Sequence, residues 1–325
     1  MKALNPKELP SHSEAEIHAK LEKMLAKIKA TQWALADIDW DAPGREIVTE
    51  DPVLYPKLKA FMADLMWIEH VGARGFAAMA KVAPTDTLKE IYQYFHAEEQ
   101  RHANAEMALM QRWGMLDGEG LPEPNINIRI VVEWLDRYAD EQPLEVLGSV
   151  IPMLEIVLDG SLCKFLLETV HDPVCHEAFG HINDDESRHL GVDFMVLELL
   201  GFGPKYQNAI KAVGNLLNPK LMIGILSYAP LLNKMRDNLM ALGLPEERLN
   251  VALRKYRTIG GRTAQGRSNA WFQIISRHGA LVANRAYTAY HRPVDGLVWL
   301  TSKVPARWLP KPPSWVNELT WKPAA

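Results

Sequence analysis

Carboxylates and histidines recur in one arrangement at two places in the chain. Residues 98–102 read Glu-Glu-Gln-Arg-His and residues 185–189 read Asp-Glu-Ser-Arg-His, so both share the pattern acid-Glu-x-Arg-His. A glutamate and a histidine three positions apart lie on the same side of an α-helix, where both can bind one metal ion. An isolated glutamate precedes each copy. Glu69 stands thirty residues before Glu99, and Glu155 stands thirty-one residues before Glu186. The pattern predicts a metal site of four glutamates and two histidines.

Two helical hairpins can bring these side chains together. Glutamates that face each other across an antiparallel hairpin must be equally far from its turn. In the first half the midpoint between the two glutamates is Pro84, and in the second half it falls beside residues 171–173, which read His-Asp-Pro. With a rise of ~1.5 Å per residue, both glutamate levels lie roughly 20 Å from their turns. The hairpins therefore predict a pseudo-symmetric four-helix bundle with six donor side chains at one level.

The donor atoms indicate which metals the site would take. Carboxylate oxygens with only two imidazoles suit iron or manganese better than structural zinc, which favours thiolates and more nitrogens. The chain has two cysteines, Cys163 and Cys175, which are too few for a four-cysteine zinc site or a disulfide framework. The sequence therefore predicts a two-metal carboxylate site.

The repeated motifs resemble those of the ferritin-like diiron-carboxylate superfamily over roughly residues 57–201. They are most similar to the soluble acyl-carrier-protein desaturases, and the spacing also fits the para-aminobenzoate N-oxygenases and the small subunit of ribonucleotide reductase. The resemblance implies two iron ions, with a manganese–iron pair as the alternative. It assigns one metal to Glu69, Glu99 and His102 and the other to Glu155, Glu186 and His189, with Glu99 and Glu186 as bridges.

The remaining members of the repeat are expected to support the histidines. The acids that precede the ligand glutamates can accept the outer imidazole N–H of the opposite histidine: Asp185 for His102, and Glu98 for His189. The two arginines are then expected to pair with these acids, the alternative being a solvated surface salt bridge: Arg101 and Arg188. Three nearby histidines are predicted to be core or surface residues rather than ligands: His70, His96 and His181.

Residues around Glu155 bear on the expected substrate cavity. Pro152, one turn earlier, removes a backbone hydrogen bond and predicts a kink. Asp159, one turn later, is a candidate cavity residue at a position where the resembling oxygenases often carry a threonine. The tyrosine that ribonucleotide reductase small subunits place one turn after the first histidine is replaced here by Glu106, so a stored tyrosyl radical is not expected.

Apolar residues recur at steps of three and four through most of the chain and predict an all-α fold. Thr85 or Asp86 is the expected N-cap of one helix, and Asp172 followed by Pro173 the expected start of another. Helices are predicted at residues 17–38, 58–82, 88–113, 144–170, 174–200, 205–217, 220–242, 246–259 and 264–290.

The predicted architecture is a ferritin-like four-helix bundle with an added N-terminal helix and a helical C-terminal extension. Residues 1–56 form the N-terminal helix and linker, residues 57–203 the metal-binding bundle, and residues 204–325 an extension packed on the bundle as one domain. Within the extension, residues 292–325 contain six prolines and are predicted to form an extended strap held down by tryptophans such as Trp299 and Trp308.

Composition excludes several classes of protein. With 325 residues, 48% of them apolar, the chain can build a sizeable core and is unlike a disordered tail. It shows no secretory signal and no run of eighteen uncharged apolar residues, and the most apolar stretch, residues 221–232, is short. Together with the scarcity of cysteine, these features predict a cytoplasmic protein. The net charge of −4 gives no indication of nucleic-acid binding.

Charge is nevertheless unevenly distributed. Residues 1–250 contain 24 basic and 38 acidic residues, a balance of −14, whereas residues 251–325 contain 12 and 2, a balance of +10, and five of the ten tryptophans. Such a basic segment can attract an acyl carrier protein, a coenzyme A phosphate or an anionic membrane surface. The alternative is a strap that neutralises the acidic bundle or pairs two subunits as a homodimer.

The function predicted from these features is an O₂-dependent diiron oxidoreductase: a hydroxylase (monooxygenase), an N-oxygenase or a desaturase. Its substrate would be a hydrophobic or aromatic small molecule or an acyl chain. An external electron donor is expected because the chain has no flavin or cysteine-rich iron–sulfur motif. The alternatives are a ferritin-like iron oxidation and storage protein and a bundle in which metal only stabilises the fold. Storage would not need the some 120 residues that follow Gly201.

Overall fold

The computed structural model describes residues 9–116, 121–157, 159–305 and 308, without the side chains of residues 159 and 160. Its described residues contain α-helices and two short 3₁₀ turns but no β-strand, so the all-α prediction is confirmed. The helices are α1 (Glu14–Ala30), α2 (Glu46–Thr49), α3 (Leu54–Lys81), α4 (Asp86–Arg112), α5 (Ile126–Tyr138), α6 (Leu144–Val157), α7 (Asp159–Thr169), α8 (Pro173–Leu199), α9 (Lys205–Leu216), α10 (Pro219–Leu242), α11 (Glu246–Gly260), α12 (Ala264–Ser268), α13 (Ala270–Val282) and α14 (Thr288–Thr301).

Both predicted hairpin turns lie where the midpoints place them. Pro84 falls in the short connection between α3 and α4, and α4 begins after Thr85, whose side chain accepts a hydrogen bond from the backbone N–H of Leu88. The connection between α7 and α8 ends at Asp172, which caps α8, and Pro173 is the first residue of that helix. Proline at this position costs no hydrogen bond because the first N–H groups of a helix have no partner within it.

The helices that carry the motifs pack on one another in pairs. Helix α3 packs along α4, α8 packs along α6 and α7, and further contacts join α3 to α6 and α4 to α8. Helix α1 lies against both α4 and α8. Helices from the C-terminal part of the chain cover the other side, since α10 contacts α3 and α5 while α11 and α13 contact α6.

The C-terminal part differs from its prediction. Residues 264–290 form three segments rather than one helix, and α5 has no counterpart among the predicted helices. Helix α14 contradicts the extended strap over residues 292–301: Pro293 lies inside the helix, and residues 294–301 contain no other proline. Trp299 and Trp308 are 61% and 70% exposed, so they do not hold this segment down. The rest of the predicted strap lies outside the described residues.

The apolar segment Leu144–Thr169 is long and hydrophobic enough to cross a membrane by length and composition alone. In this fold, however, 93% of its most apolar part is buried inside the protein. It forms core helices α6 and α7, and it is this segment rather than residues 221–232 that comes nearest to a membrane span. Pro152 lies within α6 as predicted, whereas the side chain of Asp159 lies outside the described residues.

Asp172 joins the end of α4 to the start of α8. Its buried carboxylate accepts hydrogen bonds from the Arg112 guanidinium at 2.9 and 3.1 Å and from the Trp113 indole at 2.8 Å. It also caps α8 through the backbone N–H of Val174 at 3.1 Å. Burial raises the pKa of Asp172, but the bonds from Arg112 and Trp113 outweigh it and lower that pKa below its usual value.

We expect Asp172→Ala to destabilise the protein by about 3 kcal/mol, because it leaves the buried Arg112 charge without its partner. Urea unfolding followed by circular dichroism measures the change. Asp172→Asn is the matched variant: it keeps a capping oxygen but removes the charge, so its loss should be smaller. A loss of stability in Asp172→Ala with none in Asp172→Asn would contradict a role for the Arg112 ion pair.

Candidate metal centre

Four helices bring the six predicted ligand residues into two overlapping groups. Helix α3 supplies Glu69, α4 supplies Glu99 and His102, α6 supplies Glu155, and α8 supplies Glu186 and His189; all six are buried. Within each group, one ligand atom from every residue lies within 4.8 Å of the others. The first group contains Glu69, Glu99, His102 and Glu186, and the second contains Glu99, Glu155, Glu186 and His189. Glu99 and Glu186 belong to both groups, as side chains between two ions would.

His102 turns one nitrogen towards the acids of the first group. Its Nδ1 lies 3.4 Å from Glu69 Oε2 and 3.3 Å from Glu186 Oε1. Its Nε2 lies 3.0 Å from Asp185 Oδ2 on the other side of the ring. Since an ionised carboxylate can only accept, Nε2–H is the donor, so Nδ1 is the nitrogen whose lone pair becomes available to a metal ion when its proton is released. Burial lowers the pKa of His102, but its bonds to these acids outweigh burial and raise it well above its usual value.

His189 has the same orientation in the second group. Its Nδ1 lies 3.1 Å from Glu99 Oε1 and 3.7 Å from Glu155 Oε1, while its Nε2 lies 2.9 Å from Glu98 Oε2. The acid beside each outer nitrogen thus comes from the opposite half of the chain, in the pairing expected from the sequence. A carboxylate behind a ligating histidine fixes its tautomer and increases its basicity.

Several donor atoms at the centre have no hydrogen-bond partner although they are fully buried. They are Glu69 Oε2, His102 Nδ1, His189 Nδ1 and both carboxylate oxygens of Glu155 and of Glu186. Leaving buried polar atoms unpaired is costly, and buried charges are normally paired or coordinate a metal. A cation between these converging oxygens and imidazole nitrogens would satisfy all of them. The donor set therefore fits a metal ion.

The buried acids of the two groups raise one another's pKa values. Burial, followed by the nearby charge of Glu186, raises the pKa of Glu99 well above its usual value. Burial and the charges of Asp193 and Glu186 do the same for Glu155. Carboxyl groups in such surroundings hold protons unless a positive ion takes their place. The centre is thus arranged to exchange protons for metal.

Two further buried acids were missed by the sequence reasoning as members of the centre. Glu106 and Asp193 each follow a histidine of the repeat by four residues, which is one helical turn. Burial and the charge of Glu69 raise the pKa of Glu106 well above its usual value, and burial raises the pKa of Asp193 to about 7. Extending the comparison of the two copies by four residues would have found both positions.

The arginines of the repeat lie beside the outer acids and are not solvated. Arg188 is buried, contacts Asp185 directly and has its Nη2 atom 3.3 Å from Glu98 Oε1. Arg101 is mostly buried, and its Nη1 lies 3.8 Å from Asp185 Oδ2. Its Nη2 donates instead to Gln32 Oε1 at 2.6 Å.

Gln32 and Trp33, in the loop after α1, complete this outer layer. The Trp33 indole N–H donates to Asp185 Oδ2 at 2.8 Å, and the Gln32 amide donates to Glu98 Oε1 at 2.5 Å. The Trp33 ring also stacks on His181 with centroids 4.9 Å apart. These contacts join residues more than sixty positions apart, and no local pattern in the sequence indicates them.

The three other nearby histidines belong to neither group. His70 is buried, and burial lowers its pKa to about 3. The Nδ1 atom of His96 lies 2.8 Å from the backbone carbonyl oxygen of Ala73. With His181 stacked on Trp33, all three occupy packing positions, in agreement with the sequence expectation.

No protein-family model, curated protein or solved structure matches this chain. What the chain can do is therefore judged from its own side chains, which form a buried acidic and histidine cluster able to bind metal.

An apolar cavity of about 200 Å³ lies beside α6, the helix that carries Glu155, although none of the six ligand residues lines it. Ile151, one turn before Glu155, and Leu154, directly before it, form part of the wall. The other walls come from one residue of α3 and from several of α5, α10 and α13: Val71, Val131, Trp134, Leu135, Leu221, Gly224, Ile225, Ser227, Tyr228, Trp271, Ile274, Ile275 and His278. None of the lining residues is an acid, a lysine or an arginine, and burial lowers the pKa of His278 to about 4, which keeps that ring neutral.

Gly72 allows Glu99 to approach α3. A Cβ atom at this position would lie 2.4 Å from Glu99 Oε2 and 2.8 Å from its Cδ. We expect Gly72→Ala to displace that carboxylate and to weaken metal binding about tenfold or more, measured by titration with Fe(II) under nitrogen. Gly180→Ala on α8 is the control, because its Cβ would meet nothing within 4 Å and should only favour the helix. Equal metal affinity in the two variants would contradict the predicted role of Glu99.

Proposed function

We propose that the protein is an O₂-dependent diiron oxidoreductase that acts on a small apolar substrate. The observation that carries the proposal is the joint position of the metal cluster and the cavity on α6, where Ile151 and Leu154 line the cavity and Glu155 faces the other acids. We also infer that α3, α4, α6 and α8 form a ferritin-like four-helix bundle around the site. The cytoplasmic location and the homodimer remain predictions.

Two iron ions would be held as the sequence resemblance assigns them. Glu69 and His102 would serve one ion and Glu155 and His189 the other, with Glu99 and Glu186 shared. When bound, the iron pair supplies two electrons for the reduction of O₂. An external electron donor must then restore the iron, and a manganese–iron pair is the alternative composition.

The protein's own contribution is to hold the histidines and to keep water away. Asp185 and Glu98 fix the protons of the two imidazoles on Nε2, so that both Nδ1 atoms face the acids. The cavity excludes charged groups and therefore selects an uncharged, apolar part of a substrate. An apolar cavity of about 150 Å³ accommodates benzene, so the volume of about 200 Å³ suits one substituted ring or a short alkyl chain.

Two residues that line the cavity, Tyr228 and Trp271, have a buried polar atom without a hydrogen-bond partner among the described residues, and the Tyr228 hydroxyl can orient such a substrate. Burial raises the pKa of Tyr228 far above its usual value, so its hydroxyl stays protonated and is available as a donor. A substrate with a single carbonyl, hydroxyl or amino group would fit this arrangement. The choice among hydroxylation, N-oxygenation and desaturation follows from which substrate atom lies nearest the metals.

The competing proposal is iron oxidation and storage without an organic substrate. Helices α10 and α13 supply about half of the residues that line the cavity, and storage would not need that cavity. This observation favours the enzyme.

The test is turnover with iron, O₂ and a chemical reductant in the presence of substituted benzenes and C6–C8 alkyl compounds. We expect O₂ uptake coupled to a product that mass spectrometry detects. Ile225→Trp, which fills the cavity from α10, should abolish the product and keep the bound iron. Mineral formation with no product from any compound would support storage instead, and product formation unaffected by Ile225→Trp would place the substrate elsewhere.

A further inference from the structure

Helix α9 presents an apolar stripe to solvent rather than to the protein. Tyr206, Ile210, Val213 and Leu217 follow one another at steps of four, three and four residues and are 59–79% exposed. The opposite side of the helix packs on the protein through Ala212, which is buried. A helix on the surface of a globular protein normally has the reverse arrangement, with its apolar stripe towards the core.

The stripe continues on the first turns of α10. Met222, Ile223 and Leu226 are exposed there, one short turn after Leu217. Seven of the eighteen exposed large apolar residues of the described chain thus lie between positions 206 and 226. Single exposed apolar residues are ordinary, but a contiguous patch of this kind marks an interaction surface.

Within the segment that carries the patch, the charged side chains have one sign. Residues 199–236 contain no aspartate or glutamate, whereas they include Lys205, Lys211 and Lys220. Lys205 and Lys211 are exposed, and by helical geometry each lies more than a quarter turn from the stripe, on opposite sides of it. Neither forms an ion pair among the described residues, whereas Lys220 pairs with Glu141. Long lysine side chains beside an apolar stripe can reach the head groups of a bilayer while the stripe enters it.

We propose that α9 and the first two turns of α10 bind the surface of an anionic lipid bilayer. The apolar stripe would enter the boundary between head groups and acyl chains, with Lys205 and Lys211 at the level of the anionic head groups. A second copy of the chain is the less suitable partner, because a two-fold contact through this patch would bring like charges together. The proposed membrane contact thus precedes residues 251–325 in the chain. That basic segment was one candidate for contact with an anionic membrane in the sequence analysis.

The same turns of α10 connect this surface to the cavity. Leu221, Gly224 and Ile225 line the cavity, while Met222, Ile223 and Leu226 on the other side of the helix belong to the exposed patch. A bilayer dissolves the apolar, uncharged molecules that the cavity suits. Delivery of the substrate from the bilayer rests on the proposed function, whereas binding of the bilayer does not.

Flotation with lipid vesicles tests the surface on the full-length protein. We expect wild type to float with vesicles of phosphatidylcholine and phosphatidylglycerol at 3:1, and much less with phosphatidylcholine alone. The double variant Ile210→Glu/Leu217→Glu should weaken binding at least tenfold, whereas Val53→Glu/Val251→Glu, at exposed apolar positions elsewhere, should bind as wild type does. Lys205→Gln and Lys211→Gln should each weaken binding to the anionic vesicles about fivefold.

Two results would overturn the proposal. The first is unchanged flotation of the Ile210→Glu/Leu217→Glu variant. The second is no flotation of wild type together with a dimer, seen by light scattering, that this variant dissociates; the patch would then pair two copies. The metal-ligand variant Glu186→Gln should float as wild type does, so loss of activity and loss of membrane binding are measured separately.

Discussion

Glu186→Gln will abolish metal binding and at the same time stabilise the metal-free protein. Glu186 belongs to both ligand groups, and its charge raises the pKa of both Glu99 and Glu155. An amide keeps the size of the side chain but removes the charge and one donor oxygen. We therefore expect a gain of about 2 kcal/mol in the unfolding free energy of the metal-free protein near neutral pH.

Bound metal should reverse the order of stability, so that wild type becomes more stable than Glu186→Gln. Wild type should bind about two Fe(II) ions per chain and gain about 3 kcal/mol when metal is present at a hundred times its dissociation constant. Glu186→Gln should gain nothing, and His102→Ala should also lose the bound metal. Elemental analysis and urea unfolding with and without Fe(II) under nitrogen measure these effects.

The matched control is Glu198→Gln, a buried glutamate on the same helix that binds His12 at the N-terminal side of α1 instead of the cluster. It should keep full metal binding. Full occupancy in both Glu186→Gln and His102→Ala would refute the metal centre. A metal-free Glu186→Gln protein that is less stable than wild type would show that the carboxylates do not repel one another.

Metal-free protein will lose stability as the pH rises from about 4 to about 7, because the folded state retains protons that the unfolded state has released. Burial raises the pKa of Asp193 from 3.8 to about 7. Below pH 4 this carboxyl is protonated in both states and contributes nothing. Between the two values only the folded state binds the proton, so each increase in pH favours unfolding. For Asp193 the full effect is on the order of 4 kcal/mol.

Asp193→Asn removes this titration. At pH 8 the metal-free variant should be more stable than wild type, and at pH 4 the two should be similar; urea midpoints in the presence of a chelator measure the difference. Asp136→Asn, at an exposed position, is the control and should follow wild type throughout. Bound metal should remove most of the pH dependence, since it replaces the protons. Equal stability of wild type at pH 4 and pH 8 would contradict the prediction.

The parts of this architecture that follow from local rules could be predicted from the sequence. The turn at Pro84 and the cap at Asp172 depend on residues within one helical turn, and the midpoint rule then places Glu69 beside Glu99. Periodicity fixes which side of a helix faces another but not which helix it meets. For that reason the bonds from Gln32 and Trp33 to the acids behind the histidines could not be foreseen.

The C-terminal helices were harder to predict, because there one local signal in the sequence competes with another or with tertiary packing. Pro293 suggested an extended chain, but it lies inside α14, which forms although the proline removes one of its backbone hydrogen bonds. On α9 the apolar periodicity predicts a helix correctly, yet the same pattern would have placed Ile210 and Leu217 in the core. Only the packing of Ala212 shows which side of that helix meets the protein.

The exchange of acids between the two hairpins has a consequence for how the site can be assembled or divided. Each hairpin supplies one histidine of the candidate metal centre but not the acid that orients it: Asp185 serves His102, and Glu98 serves His189. Neither half of the chain could therefore form a working half-site alone, although two identical hairpins related by a two-fold axis would supply each other in this way. A substitution of Asp185 should accordingly weaken metal binding first at the position that contains His102, in the other hairpin. The two positions should therefore fill as one cooperative unit.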